Sequence, residues 1–265
     1  MPTVTLTSSY KINSDLAMSS DELLDKFFFG IPIEYNGKRI SDDAIEFFIR
    51  AAQKAIENRL NVKLSPQIIA EDMDYQRGNW RAWGYIHSSF PVHSPIKVQG
   101  FFNQLPQIAF PKSWISARQS TDEIYYRQVH IVPSGSDAPD INNQTLVFNQ
   151  LHPHAGLVGS RSIPNYWQLT YCTGWDKGSV PADIMEVLGK MASIGLFNQL
   201  GDLILGGAAI ASKRIQLDGL SESVNTTMSA ENSGYSARIR MYVQELKESW
   251  ATLEPKYFGI AFEAL

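Results

Sequence analysis

Residues 169 to 192 read LTYCTGWDKGSVPADIMEVLGKMA, and the architecture turns on them because a β-prone run gives way to a helix within a few residues. The run YWQLTYC, 166 to 172, is rich in aromatic and β-branched side chains and reads as a strand. Pro181 is acceptable in the first turn of a helix, where its missing amide has no partner to lose. Ile184, Leu188, Met191 and Gly195 then recur at spacings of three and four, so one stripe of this helix is buried. Gly189, Ala192, Gly195 and Gly201 are small, and the glycines are costly in a helix, which leads us to expect the close approach of another backbone. Gly206 and Gly207 end or bend it.

Upstream, Ser19 with Glu22 forms a capping box for a short helix that Gly30 and Pro32 close. Ser41, Asp42 and Asp43 open a longer helix, to about Leu60, whose Ile45, Phe48, Ile49, Ala52, Ile56 and Leu60 share one face. Between Trp80 and Tyr171, prolines and glycines punctuate short β-prone runs: WGYIHSSF, IKVQGFF, EIYYRQVHIV and TLVFN. Small, loop-rich sheets follow from that punctuation. A last helix is expected from Ala230 to Leu253, with Ile239, Tyr242, Val243, Leu246 and Trp250 as its stripe and Pro255 as its end. Before it, IQLDGLSESVNTTMSAENSGY, 215 to 235, offers almost nothing to a core and reads as a long structureless connection, functional or disordered.

Composition narrows the function. At 265 residues with 44% hydrophobic side chains, the chain has enough apolar material for one large domain or two modest ones. A net charge of −4 supplies no global basic field to hold nucleic acid by counterion release. The lone Cys172 forms no intrachain disulfide and no cysteine-rich zinc site, which suits a reducing compartment. Its bland reading is a packed thiol; the sharper one, a nucleophile paired with a distant histidine, lacks any recognised flanking signature. The opening residues show no basic region followed by an apolar run, so synthesis without export is expected. Asn143 and Asn225 lie in sequons that matter only along a secretory route. Charged residues Glu186, Lys190 and Asp202 interrupt the apolar run after residue 182, so a buried helix is expected there rather than a membrane span.

Nucleotide, esterase, zinc-protease and calcium-loop motifs are all missing from the sequence. His152 and His154, with His130, His87 and His93 elsewhere, have no recognised ligand spacing, so neither metal nor cofactor is expected; a hydrolase using His130, His152 and His154 is the competing enzyme reading. The acidic pairs Asp21/Glu22, Asp42/Asp43 and Glu71/Asp72 are the candidates for acid–base chemistry, and the first two suit helix starts better. Trp80, Trp83, Tyr85 and Phe90 form an aromatic cluster that suits packing, or else stacking on sugars or bases.

Four segments in order, DDAIEFFIRAAQKAIENRLNVKL (42 to 64), EDMDY (71 to 75), FPVHSPIKV (90 to 98) and the opening stretch, resemble the head-to-tail connector proteins (adaptor or head-completion proteins) of tailed bacteriophages. The likeness covers roughly 40 to 100 and 165 to 250, and the chain departs from shorter connectors between about Phe101 and Asn165 and in its long N-terminal arm. The resemblance implies no active site. It implies a homo-oligomeric ring, commonly dodecameric, in the virion neck beneath the portal protein. Such a ring meets the next neck or tail-completion protein, lets DNA pass transiently, and assembles in the host cytoplasm away from membranes. The fold expected is α+β, mainly a helical bundle: an arm at 1–18, a helical connector core at 19–79 and 176–254, a β-rich insertion at 80–175 and a tail at 255–265. Leu217, Asp218, Gly219, Leu220 and Ser221, with Tyr257, Phe258 and Phe262 of the tail, are the interface residues this picture singles out. The alternative is an aromatic-rich carbohydrate- or protein-binding module of a phage tail or baseplate.

Overall fold

A computed structural model describes residues 4–5, 16–35, 37–80, 84–102, 105–119, 125–132, 162–205, 212–217, 220–225 and 235–258. The chain divides into two units: Met1–Asp15 with Asn61–Asp176, and Leu16–Leu60 with Lys177–Leu265. The first is built on antiparallel sheets and the second on helices.

In the β unit, strands β1 (Val4–Thr5), β4 (Gln67–Gln76), β6 (Ser94–Phe102), β7 (Leu105–Ala109) and β10 (Ser162–Thr173) form a five-stranded sheet in the order β1-β4-β10-β6-β7. A second sheet has the order β5-β9-β8, from β5 (Gly84–His87), β8 (Ile115–Gln119) and β9 (Tyr125–Ile131). Trp167, Leu169, Tyr171 and Thr173 are buried at every second position of β10, the period of a strand with one face in the core. Trp167, Leu169 and Tyr171 join Ile69, Val98, Trp114, Val129 and Ile131 in one core to which both sheets contribute. Where Pro164 interrupts β10, the register with β4 slips between Ile163 and Trp167, and Asn165 takes a positive φ of 50°. The carboxylate of Asp74 accepts the Asn165 amide at 2.9 Å and closes that irregularity.

The helical unit contains α1 (Ser20–Phe27), α2 (Asp42–Leu60), α3 (Ala182–Leu205) and α4 (Ser236–Phe258). Ser19 caps α1 by accepting the Glu22 amide at 3.2 Å. The buried stripe of α2, Ile45, Ile49, Ala52, Ile56 and Leu60, belongs with Ile184, Leu188, Ala192 and Leu196 of α3 and Ile239, Tyr242, Leu246 and Trp250 of α4. Each large side chain so buried stabilises the unit by about 1.5–3 kcal/mol. Among the described residues no helix is long and apolar enough to cross a membrane. This unit also holds the hairpin β2 (Glu34–Tyr35) and β3 (Lys38–Arg39) and the hairpin β11 (Ser212–Leu217) and β12 (Leu220–Asn225).

Several expectations need correction. The chain is α+β, with antiparallel sheets that have a core of their own, and is not mainly a helical bundle carrying an insertion. Residues 67–76, expected among the helical elements, form a central strand; their acidic residues hide the β signal because Glu, Asp and Gln are poor strand formers. What approaches Gly189 and Gly195 is no backbone but the rings of Phe27 and Phe48, which occupy the space a Cβ would take. Residues 212–217 and 220–225 are paired strands, so the stretch from 215 is not structureless throughout. Finally α4 continues through Pro255 to Phe258, since proline in the last turns removes a single helical hydrogen bond. The expected strand TLVFN lies outside the described residues.

Gly174 ends β10 with φ of +91°, and a Cβ there would collide with the carbonyl of Ser65. Gly178, at φ +85°, faces open space. Gly174→Ala is therefore expected to cost about 3 kcal/mol or more in urea unfolding, and Gly178→Ala only about 1 kcal/mol. Equal losses would show that the Ser65 contact imposes nothing.

Candidate functional site

Loop 88–93, joining β5 to β6, is where the polar chemistry of the β unit concentrates. Glu71 of β4 points to the core face and is only 1% exposed. Its Oε1 accepts the Ser89 amide at 2.9 Å. The adjacent Phe90 amide donates to the Tyr171 hydroxyl at 3.2 Å. Burial first, then the charge and hydrogen bonding of Glu71, push the Tyr171 phenol far above its ordinary value, so it stays protonated and donates to that carboxylate.

The loop is tied on every side. Asn61, held at φ 51° just after α2, donates through Nδ2 to the Ser89 carbonyl at 3.0 Å, and Arg127 donates to the Asn61 carbonyl at 3.3 Å. The Ser88 amide bonds the Arg127 carbonyl, the Val92 amide that of Tyr126, and the His93 amide that of Cys172. Ser88 Oγ closes the turn on the Phe90 carbonyl at 2.7 Å. Lys63 lies 4.7 Å above the Phe90 ring. Asn61, Glu71, Phe90 and Tyr171 come from the four segments that carry the connector resemblance, and the structure brings all four to this one loop.

A second polar cluster fastens the helical unit. Asp183 at the start of α3 accepts Lys256 Nζ at 2.7 Å and Tyr257 Oη at 3.0 Å, both from the end of α4. Burial alone would raise the Asp183 carboxyl, but Lys256, Tyr257 and the Ile184 amide outweigh it and hold the group below its usual range. Lys190 of α3 pairs with Glu186 at 2.6 Å and with Glu245 of α4 at 2.7 Å. Burial works against its charge, and the two carboxylates overcome that and raise its pKa.

Cys172 is half-buried, and burial followed by the nearby Asp176 pushes its thiol up, away from the reactive thiolate. Among the described residues no group of three or more His, Cys, Asp or Glu is placed to hold a metal. His130 pairs across strands with Tyr85, while His152 and His154 lie outside the described residues. Of the aromatic cluster, Tyr85 rests edge-on against His87 at 5.2 Å and Phe90 lies in the tied loop; Trp83 is outside the described residues. Tyr85 and His87 line a concavity of about 480 Å³ in the β unit, together with Asp72, Asp74, Asn165 and Trp167.

Of the interface residues singled out by sequence, Leu217 and Leu220 pair as the innermost partners of the β11–β12 hairpin, and Ser221 pairs with Gln216. Asp218 and Gly219 lie outside the described residues, yet their identity is the missed signal: Asp-Gly between apolar-containing runs is the strongest short hairpin cue. Tyr257 is buried and bonded to Asp183 inside the helical unit. The side chain of Phe258 and all of Phe262 lie outside the described residues.

No protein-family model and no curated protein matches the chain. Solved structures that are similar to it include two from gene transfer agent particles. One is a chain from the neck of an empty gene transfer agent (GTA) particle computed with C6 symmetry, 13% identical over 91% of this chain and 94% of that one, with a TM-score of 0.41. The other is a chain from the virion of a native GTA particle, 14% identical over 72% of this chain and 81% of that one, with a TM-score of 0.40. Both scores fall short of what a shared fold requires.

Tyr171→Phe removes the donor to a buried carboxylate and is expected to cost about 1–3 kcal/mol in urea unfolding. Glu71→Gln combined with it is expected to cost less than the two separate losses together, because the pair acts as a unit. Additive losses would show that the residues act independently. For Asp183, a folded-state pKa below the unfolded value of about 3.9 gives stability that is present above that pH and lost as pH falls through the folded value. Thermal unfolding from about pH 6 to pH 2 should therefore fall more steeply for the wild type than for Asp183→Asn; parallel curves would contradict the assignment.

Proposed function

We propose that the chain is a non-enzymatic structural subunit of the neck of a tailed, phage-like particle. Several copies form a ring beneath the portal, join the capsid to the tail and continue the DNA channel. One observation carries this reading: the four segments that resemble connector proteins meet at loop 88–93, where Asn61, Glu71, Phe90 and Tyr171 fix backbone. Residues whose work is to hold a loop and start a helix suit a subunit whose function is geometric. Ring subunits meet head-to-tail through two different surfaces, which a rigid subunit presents at a constant angle. The β11–β12 hairpin adds support, since a lone two-stranded sheet is marginal in water and gains from a neighbour to pack on. Leu217, Leu220 and Ser221 remain part of the proposed contact.

Mixing the purified chain with the portal ring of its own particle tests this. Co-sedimentation at a fixed ratio of several chains per portal ring, with stacked rings in negative stain, is the expected result. A chain that stays monomeric and leaves the portal unchanged contradicts it. The concavity beside Tyr85 and Trp167 favours the second reading, a glycan-binding tail module. Saturable binding on a glycan array, lost in Asp74→Ala, would support that reading in place of the ring.

A further inference from the structure

The helical unit carries two solvent-facing helix stripes with the same spacing. On α2, Asp43, Phe47, Arg50 and Lys54 follow one another at four, three and four residues, and all are exposed. On α4, Ala237, Met241, Gln244 and Glu248 repeat that spacing, again exposed, with Arg238 and Arg240 flanking the first of them. Phe47 is 65% exposed and Met241 47% exposed, so each stripe carries one apolar side chain between its charged ends.

We infer that the α2 stripe of one copy docks on the α4 stripe of a second copy, with the helices parallel and Phe47 against Met241. This rests on the ring reading above and names the surfaces that build it. The order of charges decides the direction. Along α2 the stripe runs from acid (Asp43, with Asp42 and Glu46 beside it) through Phe47 to base (Arg50, Lys54). Along α4 it runs from base (Arg238, Arg240) through Met241 to acid (Glu248). Parallel alignment sets Asp43 among the arginines, Phe47 on Met241 and Lys54 on Glu248; antiparallel alignment sets like charges together at both ends.

The fold favours the same direction. Arg59 in the last turn of α2 bonds Glu254 near the end of α4 at 2.6 Å and stacks over Trp250 at 4.2 Å, so the two helices finish side by side within one copy. Rotation about an axis running along the helices carries α2 of one copy to α4 of the next without reversing either. A symmetric α2–α2 pair would also match charges, but it would leave Met241 uncovered. The head-to-tail contact covers both apolar positions and leaves a fresh stripe at each end, which a closed ring uses up. Some of these side chains already have partners within the copy: Lys54 reaches Glu57 at 3.8 Å, Gln244 donates to Glu248 at 3.0 Å, Asp42 accepts Arg39 at 3.3 Å, and the Arg238 guanidinium lies over the rings of Phe197 and Tyr242.

The test uses the full chain with Cys172→Ser, carrying either Phe47→Cys or Met241→Cys. Under a short bismaleimide the mixture of the two should give dimers, while neither alone does, and the variant with both cysteines should give a ladder of multimers. Dimers from Phe47→Cys alone would establish the symmetric pair and overturn the proposal. With Cys172 kept, Lys54→Glu and Glu248→Lys should each weaken self-association about tenfold or more, and their combination should restore it. If self-association and portal binding persist through the single changes and no mixed cross-link forms, the α2–α4 contact is refuted while the ring stands. A chain that is monomeric at every concentration, alone and with portal, refutes both.

Discussion

A carboxylate on the core face of a strand is costly unless donors reach it, and Glu71 is held there by two, while its buried Oε2 is left without a hydrogen-bond partner among the described residues. Leaving such a group without donors costs several times what a single hydrogen bond contributes. Glu71 is answered by the Tyr171 phenol and the Ser89 amide, and those partners fix where β10 and the loop after β5 must lie. Phe90 then bonds back to Tyr171, so strand, loop and strand define one another. Asn61, directly after α2, is drawn into the same arrangement through the Ser89 carbonyl. The β unit thereby holds its geometry through a polar centre as well as through apolar burial.

The helical unit uses the same device with different residues. Asp183 at the start of α3 collects the end of α4 through Lys256 and Tyr257, and Lys190 two turns on bridges the same two helices. Phe27 and Phe48 lie where Gly189 and Gly195 leave room, so apolar packing and ion pairs fix α3 from different sides. Sliding one helix along another would break the pairs at both levels. A subunit repeated around an axis needs that kind of stiffness, because a small angular error per copy accumulates until the ring fails to close.

What the sequence made legible follows from periodicity. The helix 42 to 60, the Ser19 cap and the strand 166 to 172 were readable because their side chains recur at the helix or strand period or complete a known cap. The strand 67 to 76 was not, since Glu71, Asp72 and Asp74 disguise it; the partners of the buried acid, the Ser89 amide and Tyr171 a hundred residues away, belong to no local pattern. The β11–β12 hairpin was missed for the opposite reason: its cue is the dipeptide Asp218-Gly219, set in a run of small polar residues that looks like linker. The reach of α4 past Pro255 depends on tertiary contacts of Tyr257 that no local pattern reveals. The candidate site was half legible, because the four segments were visible in order but their meeting at one loop was not.

The residues that looked like motifs are builders of shape, and the proposed function is correspondingly one of position: a subunit set between portal and tail. A cryo-EM reconstruction of the neck of the intact particle, with the chain's own sequence traced into the density, measures this most directly. The expected map holds a ring of identical copies under the portal, each contributing both units around a continuous channel. A fully traced neck without this chain, or with the chain carried at the tail tip, would contradict the account.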